Sequence, residues 1–172
     1  MFLNYIKDYF LKRILKKNLH NVENSSSLVP IQSVGLVIDE SYFFEKDKLI
    51  QELIDNGILK NNIKLALYKD KIKKNEHVLE HTFSSKKINW RAEISDLTLN
   101  DFISEKFDLL INYYDIEKAI LLKVTSNSKA HFKVGFSTVD KRLNHLMINT
   151  NAENYTVFAH ELFRYLKILN KI

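Results

Sequence analysis

Apolar, β-branched runs that end in polar residues recur along this chain, alternating with stretches of helical periodicity. Three such runs are Ser33-Val34-Gly35-Leu36-Val37-Ile38-Asp39, Ile63-Lys64-Leu65-Ala66-Leu67-Tyr68 and Phe107-Asp108-Leu109-Leu110-Ile111-Asn112. Continuous apolar strands are buried on both faces, and helices between them supply the cover. The pattern therefore predicts βαβ units and a mostly parallel sheet. Such sheets gather ligands outside the carboxyl ends of their strands, often through a glycine-rich turn. This chain has three glycines, at 35, 57 and 135, and none lies in such a turn. Neither G-x-G-x-x-G nor the P-loop pattern occurs, so the fold is announced without the usual phosphate cradle.

A length of 172 residues suits one domain with one good core. With 45% hydrophobic and 12% aromatic residues, the chain has the composition of a globular protein. There is no cysteine, which excludes disulfides, thiolate nucleophiles and thiolate-held metals and fits a reducing cytoplasm. No apolar run reaches the ~20 residues that cross a bilayer. Residues 1–20 lack the uninterrupted apolar stretch and the cleavage site of a signal peptide.

The net charge of +5 is unevenly placed. Residues 1–20 hold Lys7, Lys12, Arg13, Lys16 and Lys17 against Asp8 alone. Their apolar residues recur at spacings of three and four, which predicts a basic amphipathic helix. The cations Lys12, Arg13, Lys16 and Lys17 crowd its last turns, where they complement the helix dipole. Residues 21–30 read as a polar linker, leaving 31–172 as a Rossmann-like three-layer α/β domain. Within it, strands are expected near 32–39, 62–69, 107–113, 131–137 and 144–149. Helices are expected near 43–56, 99–106, 116–127 and 152–170, the second capped by Thr98 and the last starting at Asn151 to Glu153. Residues 71–96 are expected to hold a short strand or hairpin.

The candidate chemistry is sparse. His77-Val78-Leu79-Glu80-His81 matches H-x-x-E-H, in which two imidazoles one helical turn apart hold zinc. It sits in a polar segment with no apolar helix to carry it, and the reading is a solvated stretch. His160-Glu161 begins H-E-x-x-H but meets Arg164 at the fifth position, so that motif fails. No G-x-S-x-G is present, and no metal or cofactor is expected. In a parallel sheet the strand ends converge on one rim, and Asp39, Asn112, Tyr113 and Ser137 are the candidates there for a small ligand. Lys129, His131 and Lys133 are expected on one strand face. With Lys123 they would form a basic patch, to which Arg91 would add a cation. Trp90 is expected as core or interface filler, or else as a stacking surface.

The pattern as a whole resembles a bacterial family, domain of unknown function 6913, found in Bacteroidetes-type bacteria. The likeness rests on Ile31-Gln32-Ser33-Val34-Gly35-Leu36-Val37, Ile88-Asn89-Trp90 and Phe107-Asp108-Leu109-Leu110-Ile111-Asn112-Tyr113-Tyr114. It continues in Lys129-Ala130-His131-Phe132-Lys133-Val134-Gly135-Phe136-Ser137 and in Tyr165-Leu166-Lys167-Ile168-Leu169-Asn170-Lys171. It implies the α/β fold and carries no catalytic residues. More narrowly, residues 107–137 are similar to a strand-helix-strand unit of heptosyltransferase-type glycosyltransferases. The chain has no room for the nucleotide-sugar half of those enzymes.

The functional expectation is a non-catalytic cytoplasmic binding or interaction protein, peripheral to a membrane if residues 1–20 contact one. Its partner would be a protein, RNA or the ribosome, or an anionic membrane surface, met through that helix. The alternatives are a small enzyme or nucleotide-sugar-type ligand binder using the rim, and an RNA- or ribosome-associated protein.

Overall fold

The computed structural model describes residues 2–22, 30–72 and 81–172. Among these residues six strands form the sheet: β1 (Val34–Asp39), β2 (Ile63–Tyr68), β3 (His81–Phe83), β4 (Leu109–Tyr113), β5 (Phe132–Phe136) and β6 (Leu146–Ile148). Their order is β3-β2-β1-β4-β5-β6 and every pairing is parallel. The helices are α1 (Phe2–Lys17), α2 (Lys46–Asp55), α3 (Leu97–Ser104), α4 (Ala119–Asn127) and α5 (Tyr155–Ile168).

The period of two along each strand divides the apolar residues between two cores. Val34, Leu36 and Ile38 of β1, with Leu109, Ile111 and Tyr113 of β4, face Leu49 and Leu53 of α2 and Phe158, Leu162 and Leu166 of α5. Val37, Leu110 and Tyr114 face the opposite layer, made by Leu11 of α1, Leu99, Phe102 and Ile103 of α3, and Leu121 and Val124 of α4. Residues at every position of β1, β4 and β5 are buried, as expected for strands covered on both sides. The three-layer α/β expectation is met.

Helix α1 belongs to the second of these layers and packs on α4. Leu11 is its buried anchor, and Leu15 packs beside it. Asp8 accepts the backbone N–H of Ala119 at 2.7 Å, satisfying one of the orphan donors at the start of α4. Lys7 donates to the carbonyls of Ser85 and Ile88 at 3.0 and 2.9 Å. The 21–30 linker lies mostly outside the described residues.

Several local expectations change. Asp96, not Thr98, caps α3: its carboxylate accepts the Leu99 N–H at 3.1 Å, while the Thr98 hydroxyl donates to it at 2.6 Å. Residue 96 sits at the turn entering the helix, where the stronger acceptor reaches the free N–H. Helix α5 begins later than expected, with Asn154 at its cap position. In the 71–96 region β3 adds a parallel edge strand beside β2, and Ile88 and Ile94 form an isolated antiparallel bridge. Gly57 closes α2 with φ +98°, a backbone angle that favours glycine.

Candidate functional site

The sheet order reverses between β1 and β4, and the carboxyl ends of these two strands flank the usual ligand crevice. Here that crevice is closed by side chains of the protein itself. Lys118, just ahead of α4, is largely buried and pairs with Asp39 at the end of β1 at 2.7 Å and with Asp70 beyond β2 at 3.1 Å. Its ammonium also lies 4.3 Å from the ring centre of Tyr68 and 4.8 Å from that of Tyr42. Asp39 further accepts the Ser41 N–H at 3.0 Å. Desolvation pulls the Asp70 carboxyl upward. Hydrogen bonds from Tyr68 and Lys118, with the Lys118 charge, outweigh it and hold the group below the ordinary carboxylate range. Glu40, next along the β1 loop, is held by Lys46 at 3.0 Å and Lys69 at 3.3 Å. The turn after β1 thus presents carboxylates where a nucleotide fold presents glycines and free N–H groups.

The four rim candidates separate. Asp39 is in the ion pair just described. Asn112 and Tyr113 are fully buried beneath the rim and point to opposite faces of β4. Asn112 donates to Asn144 at 2.8 Å and accepts from Thr125 at 2.9 Å, within a chain that runs on to Tyr114. The Tyr113 hydroxyl donates to the Ala152 carbonyl at 2.7 Å. Burial pushes both tyrosine hydroxyls well above their ordinary pKa, so both are neutral donors. Ser137 alone is exposed, donating to Asn149 at 3.1 Å. Outside β1 and β2 the rim carries a shallow depression lined by Glu40, Ser41, Phe43, Phe44, Lys69, Asp70 and Lys71.

At the opposite edge of the sheet, the residues named for a basic patch do come together. A cleft of ≈ 770 Å³ opens between the end of α1, the end of α4, the start of β5 and the turn at Arg91. Arg91, Lys123, Lys129, Lys133 and Arg142 line it with three histidines, and no Asp or Glu is among the described lining residues. Lys129 and His131 precede β5 rather than lying in it, so the shared strand face is not what assembles them. The cleft is instead closed by the end of α1 and the residues that follow it, with Ile14, Leu15, Asn18 and Leu19 forming one wall.

Two of these cations are committed to structure. Arg142 makes a two-point contact with Asp140, at 2.9 and 2.7 Å, and donates to the Leu19 carbonyl at 3.2 Å, tying down the chain after α1. That arginine holds the Asp140 carboxyl at about 2. Lys133 donates at 2.8 Å to the Thr125 carbonyl in the last turn of α4, where carbonyls lack helical partners. Burial, with Lys129 nearby, lowers its pKa to about 8. Its strand position is kept by His145, whose Nδ1 accepts the Lys133 N–H at 2.9 Å. Beside it in β6's neighbour strand, Gly135 leaves space for Asn144: a Cβ there would lie 2.6 Å from the amide nitrogen. By contrast Arg91, Lys123 and Lys129 have no ion pair among the described residues.

The four helix cations also divide. Lys12 pairs with Asp8 at 3.1 Å and donates to the Glu117 carbonyl, and Lys16 pairs with the Glu117 carboxylate at 2.5 Å. Arg13 and Lys17 are exposed. Trp90, expected as filler, is 57% exposed beside Arg91 and is not core. In a wider depression along β2 and β3, Lys64 pairs with Glu105 and Lys87 with Asp96.

His77 and Glu80 of the H-x-x-E-H motif lie outside the described residues, and His81 is exposed at the start of β3. Among the described residues no three His, Asp or Glu side chains gather to hold a metal. No described helix is long and apolar enough to cross a membrane.

No curated protein and no solved structure matches the chain. A family model does, described as a family of unknown function (DUF6913), and it covers residues 7–169. That span takes in all six strands and the helical layers on both faces, with α1 from Lys7 onward. The sheet with its self-paired rim and its basic cleft is therefore that of a DUF6913 protein: the chain belongs to this family of unknown function.

Proposed function

We propose that this protein is a non-catalytic binding protein whose ligand carries clustered negative charge, a phosphate group being the simplest form, and that the ligand sits in the basic cleft. One observation supports this reading above others: the cleft gathers basic side chains from five separate stretches of chain without one described carboxylate among them. Like charges repel, and a concave low-dielectric wall concentrates their field; a bound anion relieves both. Thermal shift with inorganic pyrophosphate tests it. Binding raises apparent stability by mass action, so a rise that disappears in Lys123→Ala/Lys129→Ala is the expected result. No rise over a wide pyrophosphate range would sink the reading.

The rim supports a second reading, in which a small polar ligand uses the depression near Asp39 and Asp70 and reaches toward Ser137. A thermal shift with a nucleotide sugar that is lost in Asp70→Ala but kept in the cleft variant would favour it.

A further inference from the structure

We infer that the cleft and the outer face of α1 form one docking surface for an anionic membrane, the cleft receiving a lipid headgroup phosphate while the helix lies in the interface. This rests on the anion reading of the cleft and adds the source of the anion.

The observation behind it is an inversion on α1. A helix on a protein surface normally buries its apolar stripe and sends its charges to water. In α1 the charged residues Lys7, Asp8, Lys12 and Lys16 are bonded to the protein around the buried Leu11. Leu3, Tyr5, Tyr9, Phe10 and Ile14 face outward instead, each between 48% and 74% exposed. At 100° per residue these five, with Arg13 and Lys17, fall on one half of the helix. That half carries no acidic residue. Aromatic rings, aliphatic side chains and flanking cations are what a helix needs to lie in a headgroup layer above anionic lipid.

Ile14 joins the two features, since it is exposed on the outer arc and also lines the cleft. A phosphate in the cleft and acyl chains beneath α1 are therefore adjacent. At 16 residues, α1 is about 24 Å long, short of a span but long enough to anchor in the plane. A single-stranded nucleic acid would use the cations and stack on the rings, but would leave Leu3 and Ile14 in water. A lipid surface uses both.

The test is flotation of the full-length protein with vesicles of phosphatidylcholine alone and of phosphatidylcholine mixed with phosphatidylglycerol. Binding to the mixed vesicles only, released by high salt, is expected. Tyr9→Ser/Phe10→Ser removes exposed side chains that do not line the cleft. It is expected to weaken vesicle binding by roughly tenfold or more and to leave the pyrophosphate thermal shift in place. Lys123→Ala/Lys129→Ala is expected to weaken both. Equal flotation of the wild type and the Tyr9/Phe10 variant would overturn the docking surface. So would no flotation alongside an intact pyrophosphate shift, which leaves the cleft reading standing. Salt-sensitive capture of single-stranded RNA, unchanged in the Tyr9/Phe10 variant and without flotation, would assign the cleft to nucleic acid. Loss of the pyrophosphate shift itself would fell the anion reading rather than the membrane step alone.

Discussion

The two ends of the sheet use similar residues in opposite ways. At the carboxyl rim Lys118 sits between Asp39 and Asp70, and Glu40 between Lys46 and Lys69. Each charge there answers another charge of the same chain. At the amino edge Arg91, Lys123 and Lys129 face a cleft without a described carboxylate. The topological switch point is the customary place, but a crevice filled by its own ion pairs has little left to offer a ligand. Unanswered charge in a concavity is the better pointer.

That contrast is easiest to break at Lys118. Replacing it with Ala leaves Asp39 buried without its counter-ion, and a loss of about 3–5 kcal/mol is expected in urea unfolding. Lys123→Ala in the cleft is expected to change stability by no more than about 0.5 kcal/mol. Similar values for the two would mean that rim and cleft charges do the same job.

Leu11→Ala tests whether α1 is part of the layer it covers. Its buried side chain predicts a loss of about 2–4 kcal/mol, measurable by the same unfolding curve. A loss below about 1 kcal/mol would make α1 an accessory laid on a complete domain.

Lys133 sharpens the electrostatic side. Its folded pKa of about 8 lies below the ordinary 10.5, so the unfolded chain binds more protons between these values. Stability must then rise with pH across that window. The wild type is expected to gain roughly 2 kcal/mol between pH 7 and pH 10 relative to Lys133→Met. Parallel profiles for the two proteins would show that Lys133 is not charged against a burial cost. A bound anion would raise the group again and flatten the difference.

A smaller loss than at Lys118, Leu11 or Lys133 is expected at α3. Asp96→Ala removes an N-cap acceptor and the partner of Lys87, a loss of about 1 kcal/mol. Its contribution needs the ionised carboxyl. Desolvation raises that group, but hydrogen bonds led by Lys87 outweigh it and hold it at about 2. The advantage over Asp96→Ala is therefore present above the ordinary carboxylate value and fades as pH falls from about 4 toward 2. A difference that survives at pH 2 would assign the effect to backbone geometry.

Much of the layer structure was legible because it is local. Continuous burial along Val34–Asp39 and Leu109–Tyr113 follows from apolar runs, and the end of α2 from Gly57. The cap of α3 is not legible in this way, since Thr98 and Asp96 are both able acceptors and only the turn geometry selects between them. Among the site residues, the place of Asn112 and Tyr113 at a strand end points to the rim, yet side-chain direction and depth put them under it. The cluster at Lys123, Lys129, His131 and Lys133 was visible as a run of basic residues. Its wall from the end of α1 and the residues after it is not, because the 14–22 segment lies about a hundred positions away in the chain.

By itself the sequence determined the period of each element, the absence of a phosphate loop and the concentration of charge in residues 1–20, since these depend on neighbours a few positions apart. Which charges cancel was decided only by the tertiary structure. Asp39, Asp70 and Lys118 meet because β1, β2 and the start of α4 end at one rim. Arg91, Lys123 and Lys129 are left facing one another's cleft because α1 closes it from outside. Electrostatic energy depends on distance and burial, and both are set by packing between segments that no local pattern links.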